Sequence, residues 1–296
     1  MSLAFGIYAP SGFATEPEAV ARAATRLQQM GHRVVVDVAA TVRWQRYAGT
    51  DDERLAAIAR IAARDDVDVA LAVRGGYGWT RLLDRLDYAA MARAGKRWLG
   101  HSDFTAFQLA ALAKTGMVTY AGPMAAYDFG AAAPSAYTLD HCLALLESRE
   151  HAFDCALAGP DVDVDGVLWG GNLALCASLV GTPYFPQVDN GILFLEDVAE
   201  HPYRIERMMY QLHFAGVLAR QRAVLLGAFT EYAQNANDGG YDFAAMVAQL
   251  RSVTGVPILT GLPFGHIRDK VTLPVGGRAR LVVRAGAARI ALSDYA

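Results

Sequence analysis

Short apolar runs alternate with stretches of helical length through the first 115 residues. No other feature of this chain constrains its fold as much. Leu3 to Ala9 is apolar and stops at Pro10-Ser11-Gly12, a strand followed by a turn. Pro17 to Met30 repeats apolar residues at Val20, Ala23, Ala24 and Leu27 and ends at Gly31, as a helix does. His32 to Val38 reads as the next strand, and Asp51 to Arg64 as the next helix. Val67 to Val73 is a buried strand that runs into Arg74-Gly75-Gly76-Tyr77-Gly78, with a helix expected from Thr80 towards Leu86. Arg97 to Leu99 is a short strand ending at Gly100, and Asp103 to Thr115 is helical. Such alternation builds a parallel α/β sheet with helices on its faces.

The pattern changes after about Gly130. Pro134 to Ser148 reads as one helix; Asp161 to Gly166 alternates like a strand and then turns; Val167 to Val180 is largely apolar around Gly170-Gly171. Gly191 to Leu195 and Arg222 to Phe229 read as strands, Pro202 to Phe214 and Phe243 to Ser252 as helices, and Arg278 to Leu292 as short strands. We therefore divide the chain into residues 1–135, a connecting segment 136–164, and a second α/β domain, richer in strand and turn, over 165–296.

Composition excludes several functions. With 27 basic and 30 acidic residues, the net charge of −3 gives no general reason to bind nucleic acid or an anionic membrane. No segment reaches 18 strongly apolar residues, and the N-terminus lacks a basic, then apolar, leader, so a cytoplasmic protein is expected. Cys142, Cys155 and Cys176 have no CxxC spacing, which fits a reducing compartment, and no Cys/His cluster has zinc-site spacing. Lysine occurs only at 96, 114 and 270, so 24 arginines carry the rest of the positive charge.

Two segments carry chemistry. In Trp98-Leu99-Gly100-His101-Ser102-Asp103-Phe104-Thr105 a strand ends, a serine follows in the turn and a helix starts at once. That is the layout of a nucleophile elbow, with Phe104 where the usual second glycine would stand. The competing reading makes Ser102 or Asp103 a plain helix N-cap. In Arg74-Gly75-Gly76-Tyr77-Gly78 glycines directly follow a buried strand, where parallel sheets bind ligands. Gly75 or Gly76 is placed to offer an N–H to an oxyanion; a purely structural tight turn is the alternative. Neither nucleotide-loop spacing is present.

A serine nucleophile needs a base, and the base needs an acid. Of seven histidines, His266 stands apart in the Gly/Pro loop Gly261-Leu-Pro-Phe-Gly-His266. His101 adjoins Ser102, so its side chain is expected to leave the turn in another direction. His32 is expected at the surface, and His141, His151, His201 and His213 in structural or solvated positions. Glu196, at the end of the apolar strand, is the candidate acid, with Asp197, Glu200 and Glu206 as competitors.

These segments, with Leu193-Phe-Leu-Glu-Asp197, Tyr203-Arg-Ile-Glu-Arg207 and Gly265-His266, closely resemble the LD-carboxypeptidase family of muramoyl-tetrapeptide carboxypeptidases, in order and along nearly the whole chain. The resemblance implies a Ser-Glu-His triad of Ser102, Glu196 and His266. It also implies a Rossmann-like parallel-sheet N-terminal domain and a smaller β-rich, swivelling-barrel-like C-terminal domain, with the site in the groove between them. It implies a homodimer with no cofactor and no metal. The substrate would be a cytoplasmic murein tetrapeptide that loses its terminal D-alanine in peptidoglycan recycling. The N–H groups of Asp103 and of Gly75 or Gly76 would bind the oxyanion, and Arg74 or Arg204 the substrate carboxylate. A related branch cleaves microcin-type peptidyl or aminoacyl nucleotides and has longer chains; compactness between Phe229 and Phe243 favours the murein branch here. A non-enzymatic two-domain binding protein is the alternative from another class. A metallo-carboxypeptidase is disfavoured because H-E-x-x-H is missing.

Overall fold

The computed structural model describes residues 2–296. The strand–helix alternation of the first 121 residues folds as β1 (Ala4–Tyr8), α1 (Pro17–Gln29), β2 (Arg33–Val36), α2 (Asp51–Ala62), β3 (Val69–Ala72), α3 (Tyr88–Arg93), β4 (Arg97–Gly100), α4 (Phe104–Thr115) and β5 (Thr119–Ala121). Strands β2, β1, β3, β4 and β5 lie side by side in that order, all parallel. β1 and β3 are buried throughout, as a sheet covered on both faces requires. Helix α1 starts on Pro17 and buries Ala19, Val20, Ala23 and Leu27. Helix α2 is set by a capping box: Glu53 N–H donates to Thr50 Oγ1, and Thr50 N–H to Glu53 Oε2.

The rest of the chain forms α5 (Ala136–Leu146), β6 (His151–Ala156), β7 (Val162–Asn172), α6 (Leu173–Leu179), β8 (Gly191–Val198), α7 (Pro202–Phe214), β9 (Gln221–Thr230), α8 (Phe243–Thr254), β10 (Ile258–Thr260), β11 (Leu273–Val275), β12 (Arg278–Arg284) and β13 (Ala287–Ser293). A seven-stranded second sheet runs β10-β9-β8-β7-β12-β13-β6. Its β7-to-β10 half is parallel, and β12, β13 and β6 add antiparallel strands. The α/β class, with a parallel N-terminal sheet and a second β-rich unit, is the one expected. Strand β11 leaves the second unit and pairs antiparallel with β5, Leu273 opposite Ala121. The loop between β10 and β11 therefore crosses from one sheet to the other.

Three local expectations are corrected. The helix expected from Thr80 is two single 3₁₀ turns, Trp79–Arg81 and Leu83–Arg85. Trp79 is drawn into the core, stacked 4.6 Å from the Phe107 ring, and its main-chain N–H donates to Asp103 at 3.0 Å. The turn expected at Gly166 is absent, because β7 keeps pairing with β12 through Gly166 and Val167. His32 is buried, its Nδ1 accepting the Leu3 N–H at 3.2 Å. The three cysteines are free thiols. Among the described residues no helix is long and apolar enough to cross a membrane.

Candidate active site

Strand β4 delivers His101, Ser102 and Asp103 to the carboxyl edge of the first sheet, and α4 starts one residue later. Ser102 has φ +66°, the left-handed region that side chains other than glycine seldom occupy. That strained turn is the backbone signature of a nucleophile elbow. Facing it is the loop after β3. A Cβ on Gly75 would lie 2.7 Å from Ser102 Cβ and 2.9 Å from its Oγ, so a glycine is needed there. Among the described residues, the N–H groups of Gly75, Gly76 and Asp103 donate to no protein acceptor, leaving them free for an oxyanion.

Asp103 does not cap α4 with its side chain. Buried, it accepts hydrogen bonds from Ser11 Oγ and, at 3.0 Å, from the Trp79 N–H, tying together the loops after β1 and β3. Burial raises its carboxyl above the usual range against the pull of those bonds.

The crossing loop supplies His266. Its Nε2 lies 3.0 Å from Ser102 Oγ and its Nδ1 2.7 Å from Glu196 Oε2. A carboxylate can only accept, so Nδ1 carries the proton and Nε2 is free to accept from the serine hydroxyl. Glu196, on β8, is fully buried. The β7–β8 register sets Asn172 directly beside it, and Asn172 Nδ2 donates to Glu196 Oε1 at 3.3 Å. Burial alone would lower the His266 pKa; the hydrogen bond and charge of Glu196 outweigh it and hold the imidazole above its ordinary value.

The competing acids are engaged elsewhere. Asp197 accepts from the Ala174 N–H at 2.9 Å and from Asn172 Nδ2 at 2.8 Å, and burial pushes its pKa up to about 6. Glu200 holds Arg204. Glu206 lies on α7, away from the cavity.

A cavity of about 590 Å³ opens in front of Ser102 and His266 and is lined by Arg74, His101, Tyr127 and Lys270 among others. Arg74 donates through Nη1 to Phe13 O, and its guanidinium carbon lies 5.4 Å from the Tyr127 ring centre. Its buried Nε has no hydrogen-bond partner. Arg204 is not brought to the cavity: it is exposed on α7 and ion-paired to Glu200. His101 does turn away, Nδ1 to Gly122 O at 3.0 Å, yet its ring packs edge-on 5.1 Å from that of His266. Burial, then the charges of Lys270 and His266, push its pKa well below the ordinary value, so it is neutral. Sequence reasoning missed Lys270 and Asp128, a buried ion pair at 2.6 Å in the cavity wall. The rarity of lysine was the available signal.

The chain resembles known proteins in both halves. Residues 5–122 match the LD-carboxypeptidase N-terminal domain and residues 165–281 the LD-carboxypeptidase C-terminal domain. The crystal structure of muramoyltetrapeptide carboxypeptidase from Oxalobacter formigenes superposes with a TM-score of 0.94 at 46% identity, over 99% of each chain. The murein tetrapeptide carboxypeptidase of Pseudomonas aeruginosa is 32% identical over 81% of this chain and 80% of its own. The microcin C7 self-immunity protein, in complex with aspartyl sulfamoyl adenosine, shares the fold at a TM-score of 0.89 and 23% identity, over 100% of this chain and 97% of its own. Matched in both halves, the chain belongs to the LD-carboxypeptidase family.

Proposed function

We propose that this enzyme is a serine carboxypeptidase that hydrolyses the L,D-peptide bond releasing the terminal D-alanine of murein tetrapeptides, with Ser102 as nucleophile, His266 as base and Glu196 as its orienting acid. The observation that carries the reading is the unbroken chain Ser102 Oγ, His266 Nε2, His266 Nδ1, Glu196 Oε2 at 3.0 and 2.7 Å.

Ser102 Oγ attacks the carbonyl carbon as its proton passes to His266 Nε2. Glu196 fixes the tautomer and stabilises the imidazolium that results. The N–H groups of Asp103 and of Gly75 or Gly76 receive the developing oxyanion, each worth about 3 kcal/mol in the transition state. His266 then protonates the leaving amine, and water completes the cycle by the reverse route. Arg74 lines the cavity, its buried Nε unpartnered, and is proposed to hold a carboxylate on the retained, acyl side of the scissile bond. A homodimer working in the cytoplasm on peptides returned from the wall is the setting that membership of the LD-carboxypeptidase family implies.

Incubation with free murein tetrapeptide, beside an aminoacyl-sulfamoyl adenylate, tests the reading by mass. Tripeptide plus D-alanine is expected. Cleavage of the adenylate alone places the enzyme in the microcin-immunity branch, and binding without cleavage of either contradicts the enzymatic reading. The 46% identity to a muramoyltetrapeptide carboxypeptidase, against 23% to the immunity protein, favours the first outcome.

A further inference from the structure

A buried cation stands in the cavity wall with no part in the serine chemistry. Lys270 is 4% exposed, and its Nζ lies 2.6 Å from Asp128 Oδ1. The other Asp128 oxygen accepts the Met124 N–H at 2.7 Å across the π-turn Ala125–Phe129, so the carboxylate is fixed. The Lys270 main-chain N–H donates to Thr138 Oγ1 at 2.9 Å, which fixes the backbone as well. An ammonium has three donors. Among the described residues Asp128 is its one hydrogen-bond acceptor, leaving two donors for what enters the cavity. In a chain with 24 arginines and three lysines, this position holds a compact point charge rather than a planar fork.

The direction of the reaction says what that charge meets. The imidazole that takes the serine proton returns it to the leaving nitrogen, so the leaving residue lies on the His266 side of Ser102. In a one-residue leaving group the carboxylate is joined to that nitrogen through a single carbon, about 3–4 Å away. Lys270 is four residues beyond His266 on the same crossing loop, and its charge acts on both His266 and His101. Arg74 instead adjoins Gly75, on the oxyanion side, and its guanidinium already holds Phe13 O and the Tyr127 ring.

We propose that Lys270, positioned by Asp128, binds the free C-terminal carboxylate of the leaving D-residue and so restricts the site to exopeptidase cleavage. The proposal rests on the serine-carboxypeptidase reading above.

The test offers the wild-type protein a tetrapeptide with a free C-terminal carboxylate and the same peptide as its carboxamide. The acid should be preferred about 10- to 100-fold in kcat/KM, the range of a charge-assisted hydrogen bond. In Lys270→Met/Asp128→Asn, which removes both charges together and leaves neither buried alone, the preference should fall below about threefold. Lys270→Gln, which keeps a donor for Asp128, should give the same loss and serves if the double variant does not fold. Arg74→Met should keep the preference. Equal hydrolysis of acid and amide by the wild type overturns the proposal while leaving the carboxypeptidase reading intact. So does a full preference in either folded Lys270 variant, or its loss in Arg74→Met. Hydrolysis of neither peptide by the wild type overturns the reading itself, and this assignment with it.

Discussion

The two halves of the site are built by different means. The nucleophile half is local: β4, one strained residue and α4 place Ser102 within a few residues of sequence. Gly75 and Trp79, from the loop after β3, then lock that turn, the Trp79 main-chain N–H by donating to Asp103. The base half is assembled from afar. His266 hangs on a loop that crosses between sheets, Glu196 on β8 lies 70 residues earlier, and Asn172 on β7 braces the acid. A local device sets a backbone angle; a non-local one sets a distance between sheets. Perturbing the first should damage chemistry with little change in fold, whereas perturbing the second should alter proton affinity.

Removing the nucleophile separates the halves most completely. Ser102→Ala should lower kcat about a million-fold, as loss of a serine nucleophile does, while the His266–Glu196 pair and the melting temperature persist. Tripeptide release, followed by mass, checks it; activity within tenfold of wild type contradicts the assigned nucleophile.

Glu196→Gln attacks the other half. The amide can donate to Nδ1 and so favours the wrong tautomer, and a loss of about 10⁴-fold is expected. The pH profile gives a second reading. His266 must be neutral to act, and its pKa is raised, so kcat/KM climbs as pH rises through that value. Without the Glu196 charge, burial and the Lys270 charge pull the value down against the weaker lift of Asp197, and the acidic limb should move to lower pH. An unmoved limb would show that another group sets it.

Gly75→Ala tests the lock on the nucleophile. The added methyl would meet Ser102 Cβ and Oγ below 3 Å, so the turn must shift. A displacement near 1 Å costs about 100-fold in rate. The variant should stay folded, because the clash involves one side chain of the turn and not the buried strands of the sheet.

What the sequence made legible follows the same division. The elbow was readable because strand, serine and helix adjoin, and the parallel sheet because its period is local. Composition could not show that Leu273–Val275 returns to the first sheet, since that depends on which distant edge is free. Arg204 looked suitable because it sits within a family motif, yet on the exposed surface of α7 its i,i+4 partner, the half-buried Glu200, satisfies it. The rarity of lysine could have singled out Lys270, but its pairing with Asp128 was invisible, because their 142-residue separation closes only in the fold. His101 was half legible: its departure from the turn follows from adjacency, its packing on His266 does not.

The smallest expected effects are in stability, and they sharpen the contrast. Both halves contain a residue at positive φ, Ser102 at +66° and Gly265 at +133°. Only the first carries a side chain, the one that the proposed chemistry needs. Ser102→Gly should relieve about 1–2 kcal/mol of left-handed strain, offset by about 0.5–1 kcal/mol of extra unfolded-state entropy. The net expectation is a gain of roughly 1 kcal/mol in the stability of an inactive protein. Gly265→Ala should go the other way. It introduces strain at positive φ and sets a methyl 3.1 Å from Glu196 Oε2 and Ala228 O, so a loss of about 1–3 kcal/mol is expected. Denaturant midpoints at constant slope measure both. Opposite signs would show that strain is kept at Ser102 for the position of its Oγ, and avoided at Gly265 because only the neighbouring imidazole is used. A destabilised Ser102→Gly would show instead that the serine side chain holds the turn together, and the elbow would be a structural feature first.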